Sequence, residues 1–307
     1  MLELIDIEKS FPGVQALSGI NLRVLPGKVH VICGENGAGK STLVKIINGI
    51  YQPDSGEVRI GGERVKVENP LQARDLKISM IFQELNYIPE NTIEQHLFLG
   101  IEPTRKFGNI NWKVIRKKTL ELMEAENLSY SPTTQLRDLK VSDIQMIEIL
   151  KAVSMEANVI LMDEPTSAIT EREVDHLFGK IRKLKERGVG FIYISHKLDE
   201  IFRIADDITV LRDGQLIDTR PASELNIDQV ISLMVGRTME SIFPERLPKQ
   251  IGERLLEVHG LSRRGAFSNV DLNVSRGEIV GMTGLMGAGR TEVARCLFGL
   301  DPYDEGT

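Results

Sequence analysis

The chain has 307 residues, 41% of them apolar and 27% charged, with a formal net charge of −6. That length exceeds what one ordinary domain needs and supplies a sizeable core without disulfide or metal staples. The acidic balance argues against broad electrostatic binding to nucleic acid or anionic lipid, and the two distant cysteines, Cys33 and Cys296, fit a reducing compartment.

Short β-rich runs come first: "LELIDI", "INLRVL", "KVHVIC" and "EVRI", separated by Gly and Pro turns. The pair "NLRVL-PG-KVHVIC" reads as a hairpin feeding a buried strand. From about residue 86 to residue 150 the pattern turns helical, as in "WKVIRKKTLELMEAENL". Strands return as "NVILMDE", "GFIYIS" and "DITVLRDGQLI", the last with an Asp-Gly hairpin turn. Between the first two lies a helix: Thr170 and Glu173 have capping-box spacing, Val174, Leu177, Phe178, Ile181 and Leu184 form one apolar face, and Gly188 stops it. Strands alternating with helices predict an α/β fold, with a parallel sheet, a small antiparallel β layer and a helical insertion. No apolar run approaches the roughly 18 residues needed to span a bilayer, and no charged-then-apolar leader opens the sequence, so any membrane role is expected to run through a partner.

Residues 236–253, with "FPERLPKQIGE", have the Pro and charge content of a linker. After them the sequence starts again. An offset of 250 aligns the halves without a gap from Ala16 to Gly56, pairing Gly27 with Gly277, Gly34 with Gly284 and Asn48-Gly49 with Phe298-Gly299. The expected organisation is a first domain over 1–235, with its helical part at about 86–150, a linker over 236–253, and the truncated opening of a second copy over 254–307.

"GENGAGKST" (residues 34–42) satisfies G-x-x-x-x-G-K-[ST] between an apolar strand and an apolar helix, the context the motif demands. Gly34, Glu35, Asn36, Gly37, Ala38 and Gly39 let the backbone wrap a phosphate, and the helix N-terminus adds a favourable dipole. Lys40 would reach the β- and γ-phosphates of ATP, Ser41 would ligate Mg2+, and Thr42 continues the loop into the helix. In "VILMDEPTSAIT" four apolar residues form a buried strand that delivers Asp163 and Glu164 to its C-terminal edge. Asp163 suits a hold on Mg2+, and Glu164 is placed to orient and polarise an attacking water.

Together these motifs resemble the ATP-binding cassette of ABC transporters, a P-loop NTPase with a RecA-like parallel sheet, an antiparallel β subdomain and a helical subdomain, here followed by the start of a second cassette. Further landmarks fall in order. "IFQE" resembles the Q-loop, which implies that Gln83 touches Mg2+ and the membrane partner. "SAIT" resembles the D-loop, and "YISHKLDE" resembles the switch, with His196 on the γ-phosphate. Phe11 resembles the aromatic that stacks on adenine. Where the family has a signature such as "LSGGQ", this chain has "LKVSDIQ": Lys140 replaces a phosphate-binding serine and Ser142 a glycine.

The second loop, "GLMGAGRTE", has Arg290, Thr291 and Glu292 where the first has Lys40, Ser41 and Thr42. An arginine does not simply replace a lysine point charge in a close phosphate cradle. Each ATP in ABC dimers lies between the phosphate loop of one cassette and the signature of the other. The resemblance therefore implies one hydrolytic site and one degenerate site, with the second cassette supplied in cis. The tandem loops, "SHKLDEIF" and "MVGR" followed by "FP" are similar to ATPases of bacterial monosaccharide importers of the ribose/galactose type. That implies permease subunits, a periplasmic or extracellular sugar-binding protein, a place on the cytoplasmic face of the membrane, and no nucleic-acid partner. Import of autoinducer-2 or nucleosides, and a soluble tandem-cassette ATPase acting on ribosomes, are the alternatives. A DNA-repair cassette would need a long coiled coil, and no sustained heptad is visible.

Overall fold

The computed structural model describes residues 1–83, 87–125, 128–154, 157–167, 169–236, 252–284 and 287–307. Most of the expected linker, Glu84 of "IFQE", Ala168 of "SAIT" and Leu285 and Met286 of the second loop lie outside those residues. Two compact units are resolved, Met1–Ile242 and Phe243–Thr307.

The first unit runs β1 (Leu2–Phe11), β2 (Val14–Val24), β3 (Val29–Cys33), α1 (Lys40–Ile47), β4 (Ser55–Ile60), β5 (Glu63–Val65), α2 (Pro70–Asp75), β6 (Ile78–Ile81), α3 (Ile93–Phe98), α4 (Trp112–Ala125) and α5 (Val141–Ser154). It continues with β7 (Val159–Asp163), α6 (Glu171–Glu186), β8 (Gly190–Ile194), α7 (Leu198–Ile204), β9 (Asp207–Arg212), β10 (Gln215–Pro221) and α8 (Ile227–Val235). Six strands form a sheet in the order β10-β9-β3-β8-β7-β6. Its pairs from β9 to β6 are parallel, and only the β9–β10 hairpin at the edge is antiparallel. The hairpin turns through Asp213 and Gly214, both at positive φ (49° and 76°), the geometry an Asp-Gly pair tolerates best.

The inner strands β3, β7 and β8 are buried on both faces, which is why they read as apolar runs, whereas the edge strand β10 is polar and largely exposed. Alternate residues separate by face. Val29, Val31, Phe191 and Tyr193 join the core under α5 and α6, whereas Ile32, Ile192 and Ile194 join the core that holds α1 and the second sheet. That second sheet is antiparallel, in the order β2-β1-β4-β5. The expected β2–β3 hairpin is therefore not formed. Both edges of β3 are occupied by β8 and β9, so the "PG" turn carries the chain from one sheet to the other instead of folding it back.

α6 starts as its sequence predicts: the Glu173 carboxylate accepts from the Thr170 N–H at 2.7 Å and from its hydroxyl at 2.8 Å. Leu177 and Phe178 on its inner face are fully buried, each contributing roughly 1.5–3 kcal/mol through lost apolar surface. α3, α4 and α5 enclose a separate small core of Ile93, Leu97, Ile115, Met123, Ile147 and Leu150. α5 also sends Met146, Ile149 and Ala152 into the core beneath the large sheet, so it is apolar nearly all round.

The second unit contains β11 (Arg254–Arg263) and β12 (Phe267–Ser275), paired antiparallel, and α9 (Arg290–Leu297) around Val258, Leu261 and Cys296. At the 250-residue offset the hairpin, the loop glycines and the helix behind them recur, whereas residues 279–283, which align with β3, form no strand and are largely exposed. Gly284, Gly287 and Gly289 have φ of 158°, 78° and 83°, against 155°, 86° and 98° at Gly34, Gly37 and Gly39.

Candidate functional site

Adjacent parallel strands β3, β8, β7 and β6 end at one edge of the large sheet, and each hands the chain to a predicted residue. β3 leads into residues 34–39, β8 into His196, β7 ends on Asp163, and β6 is followed two residues later by Gln83. Ligands sit beyond the carboxyl ends of strands in such sheets.

The loop after β3 is shaped by its glycines. A Cβ on Gly34 would lie 2.1 Å from the Leu211 carbonyl oxygen, and one on Gly39, at φ +98°, would lie 2.5 Å from that of Ala16. Glu35, Asn36 and Gly37 form the exposed crest, Ala38 is buried beneath it, and Gly39 is the left-handed residue from which α1 starts. No side chain caps that helix, so its N-terminus faces the loop without a built-in partner. Lys40 folds back over the loop and donates to the carbonyls of Gly34 (2.8 Å) and Glu35 (2.9 Å). Burial lowers the pKa of its ammonium, against the opposing pull of Glu164 and Asp163.

Asp163 is 3% exposed. Burial raises the pKa of its carboxyl, while a hydrogen bond from Ser41 and the nearby lysines act the other way. Its Oδ1 is buried without a hydrogen-bond partner. A buried carboxylate oxygen left unpaired beside a serine hydroxyl is the donor set a small divalent cation takes. The residues present thus fit Mg2+.

Glu164 comes next, in a left-handed conformation (φ 46°), with its N–H donating to the Ile194 carbonyl at 3.0 Å. That strained turn aims its carboxylate across the strand ends. Oε2 accepts from Gln83 Nε2 at 2.9 Å, and Oε1 lies 2.9 Å from His196 Nδ1. Three predicted residues far apart in sequence are thus brought into direct contact, around a carboxylate whose side chain is only 14% exposed.

Phe11 lies outside this cluster, at the β1–β2 turn. It is half-buried, edge-on to Tyr51 at 5.2 Å between ring centres, with the Lys9 ammonium 5.6 Å from its ring. β2 links it to the loop, since the Ala16 carbonyl is what Gly39 packs against. Lys140 is exposed just before α5, its carbonyl accepting the first helical N–H groups from Asp143 and Ile144. Two residues escaped the sequence reading. Tyr51 packs on Phe11, and nothing local marks it. Gln145, the last residue of "LKVSDIQ", is buried and donates to the Pro165 carbonyl just after Glu164. Its polarity on an apolar helix face was the signal that could have found it.

Residues 17–167 match the ABC transporter family. The chain is 50% identical over 308 residues to a ribose/galactose/methyl galactoside import ATP-binding protein of Geobacillus kaustophilus, and 48% identical over 306 residues to the ribose import ATP-binding protein RbsA 1 of Rubrobacter xylanophilus. All of this chain is covered in both, and it spans 61% of the length of each relative. Among solved structures, the ADP conformation of an ATP-binding cassette of an ABC transporter superposes with a TM-score of 0.66 at 26% identity, covering 77% of this chain and 99% of that one.

Proposed function

Because this chain belongs to the ABC transporter family, we propose that it is the ATP-binding and ATP-hydrolysing part of an importer whose solute is a monosaccharide of the ribose/galactose class. The observation that carries the reading is the Glu164 carboxylate, held between Gln83 and His196 at the sheet edge where Lys40 and Asp163 also lie. The names of the relatives support the sugar assignment and disfavour ribosomes, autoinducer-2 and nucleosides.

Residues 34–39 and the α1 N-terminus cradle the phosphates of ATP, and Lys40 exchanges its two loop carbonyls for phosphate oxygens. Phe11 stacks on the adenine. Ser41, Asp163 and Gln83 would hold Mg2+, which would supply charge neutralisation for the phosphates. Glu164 orients a water and takes up its proton, while His196 holds Glu164 from one side and meets the γ-phosphate from the other. Positioning and charge neutralisation supply most of the rate in phosphoryl transfer, so the contribution of each group rests on being fixed beforehand.

Residues 1–235 form the first cassette, and residues 254–307 repeat part of its sequence with altered loop residues. Among the described residues no helix is long and apolar enough to cross a membrane. Docking on permease subunits at the cytoplasmic face, with a sugar-binding protein beyond them, completes the proposed assembly.

The test uses the intact protein. Glu164→Gln is expected to keep MgATP affinity within about threefold of wild type and to lower turnover at least a hundredfold. Unchanged turnover rejects the role of Glu164. Reconstituted with its permease, the wild type is expected to drive uptake of labelled ribose or galactose, and no uptake of either rejects the solute class.

A further inference from the structure

Besides Asp163, the described residues hold two further buried carboxylates: Glu94, which is paired with Arg116, and Glu200. Glu200, in the first turn of α7, is 3% exposed. Its Oε2 accepts from the hydroxyls of Thr166 (2.7 Å), Tyr193 (3.0 Å) and Ser195 (3.4 Å). The Lys197 ammonium lies 3.0 Å from its other oxygen and also donates to the Thr166 carbonyl at 3.1 Å. Ser195 in turn accepts from the Lys197 N–H at 3.1 Å. Burial, together with the charge of Glu200, raises the Tyr193 phenol's pKa, so that hydroxyl remains a donor.

Those partners are not scattered. Thr166 stands two residues after Glu164 on the segment leaving β7, and Ser195 and Lys197 flank His196 on the segment leaving β8. One carboxylate therefore ties the segment bearing Glu164 to the segment bearing His196, in addition to the direct bond between those two side chains. A buried carboxylate is costly unless it is paired and hydrogen-bonded, and an apolar residue would pack α7 with less penalty. What an apolar residue would not do is fix the two segments in register.

We propose that Glu200 is a positioning residue for ATP hydrolysis, setting the separation between Glu164 and His196 through Thr166, Ser195 and Lys197. The proposal rests on Glu164 and His196 being the hydrolytic pair. Its effect falls on the chemical step and not on nucleotide affinity, because none of the bonds of Glu200 reaches the loop that holds Lys40. Misplacing a reacting group by about 1 Å can cost on the order of a hundredfold in rate.

The experiment measures ATP turnover and ADP affinity of the intact protein with Mg2+ present. Glu200→Ala is expected to lower kcat at least tenfold while KM for ATP and Kd for ADP stay within twofold. Glu200→Gln, whose amide oxygen still accepts from the hydroxyls, is expected to recover at least threefold of that loss. A kcat for Glu200→Ala within twofold of wild type overturns the proposal. So does a loss of ADP affinity as large as the loss of kcat, or a glutamine variant no faster than alanine. If the alanine variant does not fold, Thr166→Val and Ser195→Ala carry the test: lower kcat at unchanged ADP affinity supports the proposal, and unchanged kcat in both overturns it. Glu164→Gln, measured alongside, separates the two readings. Full activity there sinks the role of Glu164, whereas an inactive Glu164→Gln beside a fully active Glu200→Ala sinks only the role of Glu200.

Discussion

Two glycines three residues or fewer from Lys40 differ in what surrounds them, and on the proposed reading that difference is expected to show in nucleotide affinity. Gly37 has φ +86° and nothing within 4 Å of where a Cβ would stand. Gly39 has φ +98°, and its Cβ would lie 2.5 Å from the Ala16 carbonyl oxygen and 2.7 Å from Leu17 Cδ2. Gly37→Ala therefore carries only left-handed backbone strain, about 1–2 kcal/mol. Gly39→Ala carries that strain plus an overlap with backbone that cannot rotate away, worth a further 1–3 kcal/mol or so by analogy with overpacked cores. A strained loop relaxes by leaving the cradle conformation, and binding must restore it. At about 1.4 kcal/mol per decade, Gly37→Ala should weaken ADP binding by roughly five- to thirtyfold and Gly39→Ala by about thirtyfold or more, at least roughly fivefold beyond Gly37→Ala. Calorimetric titration with ADP and Mg2+ reads both values, and circular dichroism checks that each variant is folded. Affinities within threefold of each other, or Gly37→Ala the weaker binder, would refute the claim that contact with β2 shapes this loop.

Asp163→Ala removes the carboxylate whose Oδ1 is unpaired. Its ATP affinity in EDTA should match wild type, and the gain that Mg2+ confers should disappear; a preserved gain would show that other residues hold the ion. His196→Ala should leave ADP affinity within about twofold and lower turnover at least tenfold, since it removes a hydrogen bond to Glu164 and nothing from the phosphate loop. His30 provides a stability test: burial lowers its pKa from 6.5 to about 4, with its Nε2 2.6 Å from Thr209 Oγ1. The folded state thus binds fewer protons, so the contribution of His30 is complete above pH 6.5 and is lost as pH falls toward 4. That amounts to roughly 2 kcal/mol between pH 7.5 and pH 5. Urea unfolding at both pH values should show wild type losing that much more stability than His30→Gln, and equal losses would refute the assignment.

The sequence by itself determined the parts whose geometry is local. A phosphate loop needs glycines at left-handed positions and a helix directly behind it, and both requirements are met within the nine residues of "GENGAGKST". Asp163 and Glu164 were legible because a short apolar run bounded by turn signals reads as a buried strand, and such a strand delivers its last residues to the sheet edge. The same holds for the α6 cap, and the glycines of the two similar loops, 250 residues apart, adopt similar φ. Strand order was not legible. "NLRVL-PG-KVHVIC" satisfies hairpin chemistry, yet β3 is claimed on both sides by β8 and β9, strands more than 150 residues later in the chain. Glu164 likewise meets Gln83 and His196 only because β8 lies beside β7 and β7 beside β6. Tertiary structure alone decided that Glu200, which in sequence is one more acid in a helix's first turn, sits buried among Thr166, Tyr193 and Ser195. Short-range patterns encode what a segment's own backbone must do. Which side chains finally touch depends on sheet pairing, and that is settled by the packing of the whole chain.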